Sequence, residues 1–592
     1  MRKGEMRWRL TDLWPTTAGR PEEKFEEELK KFEKELGVMG KWLAKLRPEM
    51  SKKEFKRIME ESEDLGERLG RWAAKPRLME AVNQKDVRAK LWRRQVTDLM
   101  LKFNLVSIRI SRWLKGLEVK NKKVLDDKNA KRLFGAVKDL EHNLNYVRKL
   151  AKYSLGEREE DIIDNKDVNG VEALGEVRDL IETDFEYEML GKKIKTQAEL
   201  MKFVYSAKKE ERRAAYGALL DKYKDNVEKL FTVYQAVVKD WGYEARLRGY
   251  KSPISMRNFS NQIPDSAVET LLRVCAENKR VFQDFFRFKA KELRVKKLER
   301  FYVYAPITEQ KPNFRNQKFK EAKEIVLESF GEFSSKFRQE AEKVFEEKHL
   351  DSHPRQNKRS GAFCTTISPK ITPYVLLNFT GVSRDVRTLA HELGHAVHSL
   401  YARKHYPSSQ QANLPLAETA STLGEMLVLD KLLKESRDKK KLLTEKMEDT
   451  YATILRQNYF IIFEIRAHQL ISQGTTPEKL ASLYWKTLEE QFGESVEIHP
   501  SFRYEWTYIS HFFEAPFYCY AYSFGQLLAL ALYARYKEDK KFGNKIEKIL
   551  SRGGSKNPET VLKEIGVRMD DGKVWQGSWN IIAQWQKELE RV

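Results

Sequence analysis

The stretch from Val386 to Leu400 leaves the chain little conformational choice. Val386, Leu389, Ala390, Leu393, Val397 and Leu400 recur three or four residues apart, which predicts a helix with one buried face. Ser383 is placed to cap it. Inside that helix stands His391-Glu392-Leu393-Gly394-His395, the pattern H-E-x-x-H. Two His four residues apart lie one above the other on a helix face, so both imidazoles can reach a single ion. Glu392, next to the first of them, suits a general base acting on metal-bound water rather than a ligand.

A catalytic zinc takes three protein ligands and keeps one position open. The long form of the motif would put a third His at position 401, which is Tyr401. The third ligand must come from elsewhere. Leu416 to Met426 reads as a second helical segment, reached through a loop containing Pro407, Ser408, Ser409, Asn413 and Pro415. Its Glu418 and Glu425 are seven apart and share a face. Their neighbours are Leu416, Ala417, Ala420, Leu423 and Met426, and a Glu in such company is usually paired or bound to metal. We take Glu418 as the third ligand and Glu425 as the carboxylate that orients a ligand imidazole.

One region reads as β. Ala362 to Ser368 and Tyr374 to Phe379, with Pro369 and Pro373 between them, form two short strands joined by a turn. A strand edge beside a peptidase site can pair with an extended substrate backbone.

These runs resemble one family. Lys358-Arg359-Ser360-Gly361-Ala362-Phe363-Cys364, then Arg384-Asp385-Val386 through His398, then Glu418-Thr419-Ala420-Ser421, are similar to the oligoendopeptidase F family, a branch of the thimet-oligopeptidase-like zinc peptidases. The resemblance implies one Zn²⁺ per chain held by His391, His395 and Glu418, with Glu392 as base and Gly361, Ala362 and Phe363 at the substrate. Tyr508 to Tyr522 resembles the family's H-F-x-x-x-P-F-Y-x-Y-x-Y block. That implies His511 and Tyr522 as donors to substrate and oxyanion, and Tyr518 and Tyr520 as substrate contacts. The fold implied is mainly α: a two-lobed helical ellipsoid around a deep substrate channel, with a small β-sheet beside the active site. The activity implied is hydrolysis of internal bonds in short, unstructured peptides. Two rival readings are another helical zinc peptidase, cutting as a carboxypeptidase or dipeptidyl carboxypeptidase, and a helical binding protein with a vestigial site.

The rest of the chain is charged amphipathic helix. Phe25, Leu29, Phe32 and Leu36 form one stripe; Trp92, Val96, Leu99, Phe103, Val106, Ile110 and Trp113 form another. Pro15 discourages helix before it, and the helical pattern begins at Pro21. A soft boundary near residue 195 separates an N-terminal helical lobe, 1–195, from a catalytic helical domain, 196–592. The 110 Lys+Arg exceed the 88 Asp+Glu, and the net charge of +22 predicts attraction of acidic peptides. No nucleic-acid motif accompanies that charge. Cys275, Cys364 and Cys519 are far apart and odd in number, against a disulfide framework and for a reducing compartment. Met1 to Trp8 has no apolar leader core, and no apolar run approaches the ~18 residues of a membrane span. The expectation is a cytoplasmic protein with peptide substrates, no membrane or nucleic-acid partner, and an oligomeric state that the sequence leaves open.

Overall fold

A computed structural model describes residues 5–13, 21–307, 318–436 and 438–592; Pro15 and Met1 to Gly4 lie outside them. The chain is mainly helical, with short strands only. No helix among the described residues is long and apolar enough to cross a membrane. The chain forms two compact units that are interleaved in sequence. The first comprises 1–152, 314–434 and 535–566; the second comprises 153–313, 435–534 and 567–592. Position 195 falls inside the second unit's first segment.

The first unit opens with three long helices, Pro21–Lys45, Lys52–Val82 and Val87–Lys115. The side chains of Ser51 and Asp86 cap the second and third by accepting from the amides of Glu54 and Ala89. The two apolar stripes meet: Phe25, Phe32 and Leu36 share a core with Trp92, Val96, Leu99, Ile110 and Trp113. Phe25 stacks on Trp92 with ring centres 4.6 Å apart.

The expected strand pair is present as Phe363–Thr365 antiparallel to Tyr374–Leu376, with Cys364 opposite Val375. A third strand, Leu350–Asp351, runs parallel to Tyr374–Leu376 on its other side. Phe363–Thr365 therefore stands at the sheet's edge. Lys358 locks this sheet. Its buried ammonium lies 2.6 Å from Asp351 Oδ1 and donates to the carbonyls of His353 at 2.8 Å and Leu377 at 2.5 Å. The sheet lies immediately before the helix Ser383–Tyr401, and Phe363–Thr365 packs on that helix.

The second unit is built on aromatic packing around a buried ion pair. Arg300 donates to Glu505 at 2.9 Å, and the Tyr484 hydroxyl donates to the same carboxylate at 3.0 Å. Pairing offsets the cost of burying the two charges, although Arg300 Nε and Nη1 have no hydrogen-bond partner among the described residues. Two further sheets of two strands each, Tyr187–Met189 with Lys192–Ile194 and Leu298–Glu299 with Val496–Glu497, were not expected.

Candidate active site

The helix Ser383–Tyr401 starts one residue earlier than a Ser383 cap would allow: Val382 is its N-cap residue. The capping role falls to Asp385. Its carboxylate accepts from the amides of Thr380 at 2.6 Å and Gly381 at 2.9 Å, and from the Thr380 hydroxyl at 2.8 Å. Three donors at a helix N-terminus are thereby satisfied by one acidic group, which also complements the helix dipole.

The second segment is broken at Glu418. A short turn of helix, Leu414–Ala417, ends there, and Thr419–Glu435 begins. Two glycines set how closely that helix approaches the histidine helix. A Cβ on Gly394 would fall 2.5 Å from the Ala420 carbonyl oxygen, and one on Gly424 would fall 2.9 Å from the Ala390 carbonyl oxygen. Each helix thus presents a glycine to the other's backbone, a separation that any side chain would prevent.

That approach brings the predicted ligands together. His391 Nε2 and His395 Nε2 are 3.2 Å apart, and Glu418 Oε2 lies 3.6 and 3.5 Å from them. Among the described residues these three form a group able to hold one metal ion. Each imidazole is held from behind. His391 Nδ1 is 2.7 Å from Glu425 Oε1, and the Ala417 backbone carbonyl accepts from His395. The Ser421 hydroxyl donates to Glu418 Oε2 at 2.8 Å and fixes the third donor. Such outer contacts fix tautomer and orientation, leaving the facing nitrogen as the donor atom.

The electrostatics match a cation. Burial works against a charged His391, but the hydrogen bond to Glu425 and the charges of Glu425, Glu418 and Glu392 outweigh it and raise its pKa to about 9. His395 is moved down by burial and by its neighbour His391, against the pull of Glu418. Two imidazoles amid three carboxylates therefore favour positive charge at their centre. Two nitrogens and a carboxylate oxygen are a donor set that Zn²⁺ accepts.

Glu392 feels the same charged groups and is more deeply buried than they are. It is 7% exposed. Burial raises its pKa to about 7, opposed by His391, reinforced by Glu418 and Glu425, and opposed again by a hydrogen bond from the Cys364 backbone. The edge strand thus touches the candidate base. His398, one turn beyond His395, is buried, and burial lowers its pKa to about 4.

Gly361, with φ +80°, turns the chain into the edge strand, and its carbonyl accepts from Asn378 Nδ2 at 2.7 Å. Ala362 follows, half-buried. The Phe363 ring lies 6.3 Å from that of Trp8 and packs on the first unit's core.

The remaining predicted residues lie in the second unit. His511 Nε2 is 3.1 Å from the Tyr522 hydroxyl, and Tyr518 faces both rings at 6.1 and 5.3 Å. Burial holds the His511 imidazole below its ordinary pKa, against the opposing charge of Glu514. Tyr520 does not join them. It is fully buried, and its hydroxyl accepts from Asn261 Nδ2 at 2.8 Å.

Sequence reasoning missed the glycine pair, the Asp385 cap and the Ala417 carbonyl. An isolated Gly within a helical pattern is a signal of close packing, and Gly394 and Gly424 both showed it. A backbone carbonyl leaves no signal in residue type.

Comparisons with known proteins bear on the fold and the lineage. The profile of peptidase family M3 matches residues 202–581, which include every candidate ligand and the Tyr-rich block. An oligoendopeptidase F homolog from Borreliella burgdorferi is 29% identical over 82% of this chain and 80% of its own length. A solved structure from Chlamydophila abortus superposes with a TM-score of 0.85 at 22% identity, covering 99% of this chain and 98% of that one. The oligoendopeptidase-F structure from Enterococcus faecium gives 0.70 at 20% identity, over 96% and 99%. At those identities the two structures speak for the fold, and the matched profile speaks for the lineage: the chain belongs to peptidase family M3, in its oligoendopeptidase F branch.

Proposed function

We propose that this chain is a zinc-dependent endopeptidase acting on internal bonds of short, unstructured peptides. The observation that carries the reading is the convergence of His391, His395 and Glu418 beside the buried Glu392. Those three residues would hold the ion. The chemistry a bound zinc supplies is Lewis acidity toward a carbonyl oxygen and a lowered pKa for water, toward ~7.

The chain's own residues do the rest. Glu392 takes the proton from the attacking water and delivers it to the leaving amine, a role suited to a carboxyl that burial has moved toward neutrality. Glu425 and the Ala417 carbonyl keep the two imidazoles in one tautomer through the cycle. The edge of Phe363–Thr365, preceded by Gly361 and Ala362, offers backbone groups to an extended peptide, which reads chain rather than side chain. Tyr522, with His511, donates to the oxyanion, a role drawn from the family block. A phenol keeps its proton at neutral pH, with an ordinary pKa of ~10.

The test pairs metal analysis of the purified full chain with mass mapping of the products from a mixed peptide set. One zinc per chain and cuts at internal bonds support the proposal. Release of single residues or dipeptides from the C-terminus would replace it with the carboxypeptidase reading. Metal without hydrolysis would replace it with the binding protein.

A further inference from the structure

His511 and Tyr522 meet across a turn whose shape is imposed from outside. The helix Ser510–Glu514 carries His511, the helix Tyr520–Glu538 carries Tyr522, and residues 515–519 join them. Within that connection Phe517 adopts φ +58°. Such a conformation is costly for an aromatic residue and persists only where the surroundings fix it.

The surroundings here grip one peptide plane at both ends. The Pro516 carbonyl accepts from Arg257 Nε at 2.9 Å, and the Phe517 amide donates to Glu464 Oε1 at 2.9 Å. Those two backbone groups belong to the same planar unit, so fixing both fixes its orientation. Turning the plane over would point the Phe517 N–H at the guanidinium, donor against donor. The ring is held as well: it lies 4.4 Å from that of His468, one turn beyond Glu464 on the helix Arg456–Ser472. Arg257, on the helix Pro253–Ser260, stands one turn before Asn261, which donates to the Tyr520 hydroxyl.

Glu464 is 1% exposed. A carboxyl is expensive to bury, and an apolar side chain would fill the same volume. What the carboxyl adds is an acceptor for the Phe517 amide. Burial raises its pKa to about 8, so near neutral pH it is a protonated acid whose free oxygen accepts that bond.

We propose that Glu464 and Arg257 are positioning residues for the Tyr-rich block: by holding the Pro516–Phe517 peptide they set the 3.1 Å contact between His511 and Tyr522, and with it the aim of the Tyr522 donor. The inference rests on the reading of Tyr522 as an oxyanion donor; neither positioning residue acts on the substrate itself.

The experiment combines crystal structures with steady-state kinetics on the full-length, zinc-loaded protein. The variants are Glu464→Gln, Glu464→Leu and Arg257→Met, each alone and with Tyr522→Phe. Glu464→Gln keeps an oxygen for the Phe517 amide and should retain the turn and most of the activity. Glu464→Leu keeps the volume and loses the acceptor. The Pro516–Phe517 peptide should reorient, the His511–Tyr522 contact should open, and kcat should fall ~10-fold or more with KM nearly unchanged and zinc retained. Arg257→Met frees the carbonyl from the other side while keeping an unbranched chain on the Trp241 ring. It should act in the same direction, and it carries the test where the buried substitution does not fold. With Tyr522→Phe already present, neither Glu464→Leu nor Arg257→Met should lower kcat further, because the donor they aim is gone. An unmoved turn in the folded variants would overturn the proposal. So would a further loss of the same size in the double variants, where Tyr522→Phe itself lowers kcat. Tyr522→Phe with kcat intact would sink the oxyanion reading instead, and the positioning claim would then stand or fall on whether the turn moves.

Discussion

The helices Ser383–Tyr401 and Arg456–Ser472 each carry an imidazole four residues from another titratable group, and they hold it in opposite states. On Ser383–Tyr401 the pair is His391 and His395; on Arg456–Ser472 it is Glu464 and His468. Burial is the largest influence on both His391 and His468, and it disfavours the charged ring in each. Only at His391 is it overcome, by Glu425, Glu418 and Glu392, which lift the pKa to about 9. His468 has no such neighbours and falls to about 3. The acids differ as well: Glu392 sits at about 7 among charges, while Glu464, 1% exposed, sits at about 8 with a hydrogen bond from the Phe517 amide at 2.9 Å. Spacing and residue type are therefore no guide to charge state. The carboxylates around the ring decide it, and they make the first pair a place for a cation and the second a place for neutral polar contacts.

Substitutions can break or sharpen that contrast. The largest effect is expected at Glu392. Glu392→Gln should fold and keep its metal but lose ~10²–10⁴ in peptidase rate, as for loss of a general base. Loss of metal in step with activity would show that Glu392 is a ligand. Next comes the second unit's aromatic cluster. Tyr522→Phe keeps the ring and removes the donor, so kcat should fall ~10²–10³ with KM nearly unchanged. A raised KM with kcat intact would make Tyr522 a substrate grip instead, and steady-state kinetics separates the two. Glu425→Ala removes the group behind His391 and should weaken metal affinity ~10–100-fold in a competition with a chelator.

The remaining effect concerns stability and accumulates with pH. Glu464 has its folded pKa raised to about 8 from an ordinary value near ~4.3 in the unfolded chain. Its contribution is fully present below pH ~4.3 and is lost as pH rises through about 8, because the folded state binds the extra proton. Over that window wild type should lose up to ~1.4 kcal/mol per pH unit relative to Glu464→Gln. Parallel thermal melts of the two proteins against pH would contradict the assignment of Glu464 as a buried neutral acid.

Much of the candidate site was legible before the structure. The period of Val386 to Leu400 announced the helix, the absence of His at 401 pointed elsewhere to Glu418, and the two short runs parted by Pro369 and Pro373 marked two strands. What escaped was decided by backbone and by distance. The strand Leu350–Asp351 is two residues long, too short for any period to show. The cap at Asp385 depends on a carboxylate reaching back along its own turn, which competes equally with Ser383 in sequence. Tyr520 and Tyr522 are two residues apart in one block, yet the first is buried against Asn261, 259 residues away in sequence, and the second is not. The interleaving of the two units has no mark in composition, because both are made of the same charged helices.

The central claim is that His391 and His395 on the helix Ser383–Tyr401, with Glu418 at the break just before the helix Thr419–Glu435, hold one catalytic zinc, and Glu418→Ala tests it most directly. Elemental analysis and peptide hydrolysis should be measured on wild type and variant together, with circular dichroism to confirm the fold. The expected result is one zinc per chain in wild type, and most of the zinc and the activity gone from a folded Glu418→Ala. Zinc affinity in Glu418→Ala equal to that of wild type would contradict the claim.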